Sequence, residues 1–297
     1  MNTTVICRLI PALMLTVAAS VAFGQAESLT DVIRAIEGKL DARIGVAVNI
    51  LASDMSWEYR SDERFPLSST FKPIACAALL HRVDAGQDNL ERKVYYAEEE
   101  LVTYSPVTQN RWRPAGMTLS ELCEATITVS DNTAGNLILE AIGGPAAVTG
   151  FARVAGDELT RLDRWETALN EAMPGDVRDS TTPAAMAYLL ETLLFGDLLT
   201  VDSRNRLKDW LEGNKVGDAL LRAGIPRDWE IGDKTGAGGY GSRSVAAVMW
   251  PPNGDPVIAT VYITETDSSF DERNAAIADI GRAIAKALLN YENPDCC

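Results

Sequence analysis

Two periodicities divide this chain. In "SLTDVIRAIEGKLDARIG" the apolar residues Val32, Ile33, Ile36 and Leu40 recur at helical spacing, and "RIGVAVNILA" then alternates as a strand does. Toward the other end, "SVAAVMW" and "VIATVYIT" read as strands joined by the turn residues of "PPNGDP". The last pattern, "SFDERNAAIADIGRAIAKALLNYE", is that of a long amphipathic helix. Between these ends, from Phe65 to Leu211, the pattern is almost wholly helical. Strands at both ends around a helical middle predict that the two ends share one sheet and that the centre forms a second lobe. One stretch keeps no period: "RLDRWETALNEAMPGDVRDSTTP", from Arg161 to Pro183. Long structureless connections inside compact domains are uncommon and tend to be functional. Arg164 and Asp179 could pair across its neck.

Composition narrows the setting. The first residues, "MNTTVICRLIPALMLTVAASVAFGQAE", carry a cation at Arg8, an apolar run from Leu9 to Phe23 and small residues around Gly24, the pattern of a secretory signal over residues 1–24. A membrane anchor needs about 18 or more uninterrupted apolar residues. Pro11, Thr16 and Ser20 interrupt this run, so export without an anchor is expected. The chain of 297 residues has a net charge of −15. Such a surface repels phosphate backbones and argues against a nucleic-acid partner. Cys76 and Cys123 fall inside the fold, where an exported protein usually bridges such a pair; two buried free thiols are the alternative. Cys296 and Cys297 end the chain with no role assigned.

The candidate chemistry begins with an elimination. His81 is the single histidine, within a helical run, so a serine–histidine–aspartate triad would depend on it and a histidine-rich zinc site is excluded. A serine without histidine needs another base, and a desolvated lysine can serve. In "PLSSTFKPIACAALLHRV", Ser69 stands three residues ahead of Lys72, an ammonium among Ile74, Ala75, Ala77, Leu79 and Leu80. On a helix this spacing puts both side chains on one face. Alone, the pair is a weak signal. Ser130-Asp131-Asn132 follows, just before the apolar run "NLILEAIGG", where a helix cap is the simplest reading. Lys234-Thr235-Gly236 comes later. Gly236 to Gly241 spells a dinucleotide fingerprint, but a strand follows it where that fingerprint requires a helix.

S-x-x-K, S-D-N and K-T-G in this order, with Glu166 and Asn170 in the aperiodic stretch, Arg243 after the glycines and the Cys76 and Cys123 pair, resemble a class A serine β-lactamase over essentially the whole mature chain. The resemblance implies an α/β fold of two lobes: an antiparallel sheet flanked by helices, from residues 25–64 and 212–297, and an all-helical lobe, 65–211, holding an Ω-type loop at 161–179. It implies that Ser69 attacks the lactam carbonyl to form an acyl-enzyme. The Ser69 and Ala237 amides would form the oxyanion hole, and Ser130 would protonate the departing nitrogen. Glu166, with Asn170 placing a water, would drive deacylation, while Lys72 or Glu166 takes the proton in acylation.

Lys234, Thr235 and Arg243 would hold the substrate carboxylate, with Gly236 also in the substrate-binding set, Asn132 would bond the acylamide side chain, and Tyr104 would wall the entrance. Arg164 and Asp179 would hold the loop. Thr167 stands where many relatives have proline, and the resemblance implies a cis bond before it. Ser68 and Gly238 occupy positions where some carbapenem-hydrolysing relatives join two cysteines. The expected substrates are therefore penicillins, then narrow-spectrum cephalosporins, with poor carbapenem hydrolysis. No cofactor or metal is expected, a monomer is the default expectation, and the resemblance implies a secreted, periplasmic enzyme that confers antibiotic resistance. The rival readings are a D,D-peptidase of the penicillin-binding class, a sensor that uses acylation as a signal, and an unrelated serine esterase.

Overall fold

The computed structural model describes residues 28–292 except 54, 113 and 253. The signal segment, Cys7, Cys296 and Cys297 lie outside the described residues. The chain opens with α1 (Leu29–Leu40), β1 (Arg43–Ile50) and β2 (Ser56–Tyr59), then the two-residue strand β3 (Phe65–Pro66). A 3-10 turn over Ser68–Phe71 leads into α2 (Lys72–Asp84). Short strands β4 (Lys93–Val94) and β5 (Met117–Thr118) precede α3 (Leu119–Thr128), α4 (Asn132–Ile142) and α5 (Pro145–Val154). After the loop come β6 (Ser180–Thr181), α6 (Pro183–Phe195), α7 (Val201–Glu212) and α8 (Leu221–Gly224). Strands β7 (Glu230–Ala237), β8 (Arg243–Trp250), β9 (Val257–Thr264) and the long α9 (Phe270–Glu292) complete the chain.

The main sheet is antiparallel, in the order β2-β1-β9-β8-β7. Strands from both ends of the chain therefore lie side by side. Their alternation sorts two cores. Ile44, Val46 and Val48 of β1, Val245 and Ala247 of β8, and Val261 and Ile263 of β9 point toward α1, α8 and α9. Ala47, Ala246, Val248, Ile258 and Tyr262 point the other way, into the core built by the helices between. Successive strand side chains face opposite sides, so each strand feeds both cores. At about 25 cal/mol per Å² of apolar area buried, such packing is the main stabilising term.

In the helical lobe, α2 is buried on almost every side, from Lys72 to Leu80, as a helix at the centre of a bundle must be. The Cys76–Cys123 disulfide ties it to α3, with Cα atoms 5.8 Å apart. The short strand pairs β3·β6 and β4·β5 break a middle that the pattern predicts as helical. Two-residue strands are too short to show alternation. Among the described residues no single helix is long and apolar enough to cross a membrane.

Candidate active site

The site collects on the central helix and the edge strand. Ser69 lies in the 3-10 turn, not in the helix proper, and Lys72 is the first residue of α2. The turn is braced from below. Thr70 donates its one hydroxyl proton to the Leu67 carbonyl at 2.6 Å, so the Tyr262 hydroxyl, 3.1 Å away, donates to Thr70. From the side, β7 presses on the same turn. A Cβ on Gly236 would lie 3.1 Å from the Ser68 Cβ and 2.5 Å from the Ser244 hydroxyl, so only glycine permits this approach.

Lys72 is fully enclosed. Its ammonium donates to the Ser130 carbonyl at 2.9 Å and to Asn132 Oδ1 at 2.7 Å, and lies 3.3 Å from the Ser130 hydroxyl. Glu166 Oε1 is 3.2 Å away, an ion pair between side chains with no exposure, though not aligned as a hydrogen bond. Burial pushes the Lys72 ammonium below the ordinary lysine range, against the raising effect of Glu166. Ser130 therefore stands between two cations. Lys234 donates to its hydroxyl at 3.0 Å and to the Thr235 carbonyl at 2.8 Å. Burial, and next the nearby Lys72 charge, lower Lys234 well below the ordinary lysine value. With both lysines donating to its oxygen, Ser130 keeps its own proton free to give.

Asp131, the middle residue of the S-D-N stretch, faces away from this chemistry. It caps α4 through the Ala134 amide and also accepts from the Val107 and Thr108 amides and the Thr108 hydroxyl. That anchor fixes the segment carrying Tyr104, whose carbonyl accepts from the Asn132 amide at 3.0 Å. Tyr104 (φ 64°) and Ser130 (φ 60°) both sit in the left-handed region, uncommon for non-glycine residues.

The loop delivers Glu166. Asn170 donates to Glu166 Oε2 at 2.6 Å, and the Glu166–Thr167 bond is cis. Asn136 grips the Glu166 backbone twice, accepting from its amide at 2.9 Å and donating to its carbonyl at 3.0 Å. Periodicity did not single out Asn136. The available signal was its place four residues after Asn132, on the same face of α4. At the neck, Arg164 meets Asp179 Oδ2 and Glu171 Oε2, each at 2.5 Å. Asp179 accepts in addition from the Asp163 and Arg164 amides. The inner edge of the loop leans on β7's end: the Gly239 amide donates to the Asn170 carbonyl at 2.9 Å, and a Cβ on Gly239 would meet the Glu171 carbonyl at 2.4 Å.

Arg243, on β8 opposite Ala237, is almost fully buried. It donates to Asn274 Oδ1 at 2.8 Å and to the Gly236 carbonyl at 2.9 Å. Burial lowers it to about 10, so it stays charged at neutral pH. On β7 beside Lys234, Asp233 is held by Arg222 at 2.7 Å and Asn214 at 2.9 Å. Periodicity did not single out Asn274, Asp233, Arg222 or Asn214, because their partners come from distant segments. A cleft of about 580 Å³ joins Ser69, Tyr104, Ser130, Asn132, Asn170, Thr235, Gly236, Ala237 and Arg243.

A buried lysine between Ser130 and Glu166, a second lysine sharing Ser130, and a carboxylate closed over them form one connected cluster, and Ser69 lines the same cleft. The β-lactamase enzyme family model matches residues 27–288. The chain belongs to the class A β-lactamases. It is 48% identical over 253 residues to the β-lactamase AER-1 of Aeromonas hydrophila, covering 85% of this chain and 83% of that one. To the β-lactamase FAR-1 of Nocardia farcinica (strain IFM 10152) it is 48% identical over 254 residues, covering 86% and 81%. An ancestral (GNCA) class A β-lactamase of solved structure matches with a TM-score of 0.86 at 55% identity, over 88% of this chain and 100% of that one. This class A β-lactamase is thus a serine hydrolase of β-lactams, an activity that gives antibiotic resistance.

Proposed function

We propose that Ser69 is the nucleophile and that this enzyme turns over penicillins first and narrow-spectrum cephalosporins second, with poor carbapenem hydrolysis. In acylation Ser69 attacks the lactam carbonyl while its own amide and that of Ala237 stabilise the oxyanion, an effect whose loss typically costs about 10²- to 10³-fold per donor. Lys72, its proton loosened by burial, or Glu166 takes the serine proton. Ser130 gives its proton to the departing nitrogen and is resupplied through Lys72 or Lys234. Lys234, Thr235 and Arg243 hold the substrate carboxylate beside Gly236, and Asn132 bonds the acylamide group along the wall made by Tyr104.

One observation carries the hydrolytic half of this reading. Glu166 Oε1 and Asn170 Oδ1 are buried acceptors that receive no hydrogen bond from the protein. Buried acceptors are rarely left unmatched, and two of them side by side suit a water poised for general-base attack on the acyl ester. The substrate order is supported by Ser68, Ala237, Gly238 and Gly239, which offer no second disulfide beside the nucleophile. We further infer a monomer that is exported to the periplasm without an anchor, with the cleft between lobes formed by residues 25–64 and 212–297 and by 65–211.

The test is intact-mass spectrometry with excess benzylpenicillin, followed in time beside drug loss. Many turnovers with return to the free mass are expected. A persistent one-to-one adduct with the drug unconsumed would instead make the same Ser69 and Lys72 pair a penicillin-binding device.

A further inference from the structure

The lining of the cleft divides by chemistry. One part is the polar cluster described above; the other is made by the segment of Val216, Ala219 and Leu220, with the exposed Lys215 and Asp218 on it, and by Phe270. Phe270 is the first residue of α9 and keeps 48% of its surface exposed, a large ring left in the cleft. It is not loose. The Arg243 guanidinium carbon lies 4.6 Å from its ring centre and that of Arg273 lies 5.6 Å away, contacts that attract a cation to an aromatic face. Arg243 is in turn fixed by Asn274 and the Gly236 carbonyl. The apolar part therefore directly adjoins the cation assigned to the substrate carboxylate, and its ring is ordered before substrate arrives.

We propose that Phe270, with Leu220, Ala219 and Val216, forms a subsite for a flat apolar group attached next to the substrate carboxylate, namely the C3 substituent of a cephalosporin. The inference rests on the reading of Arg243 as a carboxylate holder. In a cephalosporin the carboxylate is on C4 and the variable group on the neighbouring ring carbon. Anchoring the first at Arg243 brings the second within reach of the ring that Arg243 touches. Penicillins have only methyl groups in the corresponding place, so the subsite sorts cephalosporins among themselves.

The test uses three cephalosporins with the same 2-thienylacetyl group at C7 and methyl, acetoxymethyl or dinitrostyryl at C3. For Phe270→Ala, kcat/KM should fall about fivefold more for the dinitrostyryl compound than for the methyl one, as expected for one lost aromatic contact. Acetoxymethyl should fall between. Phe270→Leu, which keeps apolar bulk at the helix start, should lose part of that ratio, so a folding defect in the alanine variant would not hide the effect. An equal fall for all three compounds would make Phe270 a support for Arg243 alone and overturn the subsite, as would an unchanged ratio. Arg243→Ala separates the underlying reading: KM should rise alike for all three. If it rises while the Phe270 ratio stays flat, the subsite alone fails. If it does not rise, the carboxylate reading fails and takes the subsite with it.

Discussion

Two charged clusters hold the Ω-type loop, and they are built on opposite principles. At the neck, Arg164 faces Asp179, Glu171 and, at 3.7 Å, Asp176, and the Asp179 carboxylate is filled further by two backbone amides. At the tip, Glu166 and Lys72 meet with no solvent exposure, and Glu166 Oε1 and Asn170 Oδ1 receive no hydrogen bond. The neck is saturated and its arginine reaches solvent. The tip is shut off from bulk solvent and short of protein partners. A satisfied network rigidifies, whereas a buried group short of partners carries a cost that persists where a site uses it. On the proposed mechanism, the same loop therefore carries stability in one cluster and reactivity in the other.

The sharpest way to break this contrast is to remove the tip carboxylate. On the proposed mechanism Glu166→Ala still acylates but deacylates about 10²- to 10⁴-fold more slowly, the usual worth of a general base. Thermal stability should change little, because Lys72 keeps the Ser130 carbonyl and Asn132 as acceptors. Mass spectrometry should find the acyl adduct accumulating. Rapid, complete turnover would remove Glu166 from the role of base.

The neck should answer in the other currency. Arg164→Ala leaves Asp179, which is 1% exposed, with its amide donors but without its cation. Breaking such a pair should cost about 2–4 kcal/mol, read by denaturant titration. Activity should fall only as far as Glu166 is displaced. If Arg164→Ala left stability intact and abolished deacylation, the division of labour between neck and tip would be wrong.

A third test uses pH. On the proposed reading the charged form of Lys234 attracts the substrate carboxylate, and burial lowers its pKa well below the ordinary lysine value. The ammonium is therefore lost as pH rises through a value under the ordinary lysine range, and kcat/KM should fall on that alkaline limb. A guanidinium holds its proton to higher pH than an ammonium in like surroundings, and even buried Arg243 is lowered only to about 10. Lys234→Arg should move the limb upward, as read from benzylpenicillin kcat/KM between about pH 6 and 10. An unmoved limb would assign it to another group, with Lys72 first in line.

How much of this was legible before the coordinates depended on range. Helices α1 and α9 carry long, regular patterns because one side of each meets a core, and β8 and β9 are unbroken apolar runs because both faces of each do. The four-residue edge strand β2 and the two-residue strands carry none. In the site, the Ser69, Ser130 and Lys234 stretches are local and could be read directly. Asn136, Asn274 and Tyr262 act across 30, 31 and 192 positions, respectively, and no periodicity links them to their partners. The neck was half legible: Arg164 and Asp179 stand out as opposite charges, but the sharing of Arg164 with Glu171 and Asp176 depends on how an aperiodic loop folds.

The smallest expected effect probes the support of Ser69, the proposed nucleophile. Tyr262 is fully buried, and its hydroxyl can only donate to Thr70, whose own proton goes to Leu67. Tyr262→Phe removes that one donor and leaves the ring against Phe65, 5.9 Å between centroids. One neutral hydrogen bond is worth about 1 kcal/mol, and stability should drop by that amount. Thr70 retains its bond to the Leu67 carbonyl, so the turn that aims Ser69 keeps its shape, and the acylation rate should hold within about twofold. The outcome decides where rigidity at the nucleophile resides. If acylation instead slowed tenfold with the same small loss of stability, the sheet would be setting the aim of Ser69 through Tyr262. The reactive tip and its support would then no longer be separable in the way the loop's two ends are.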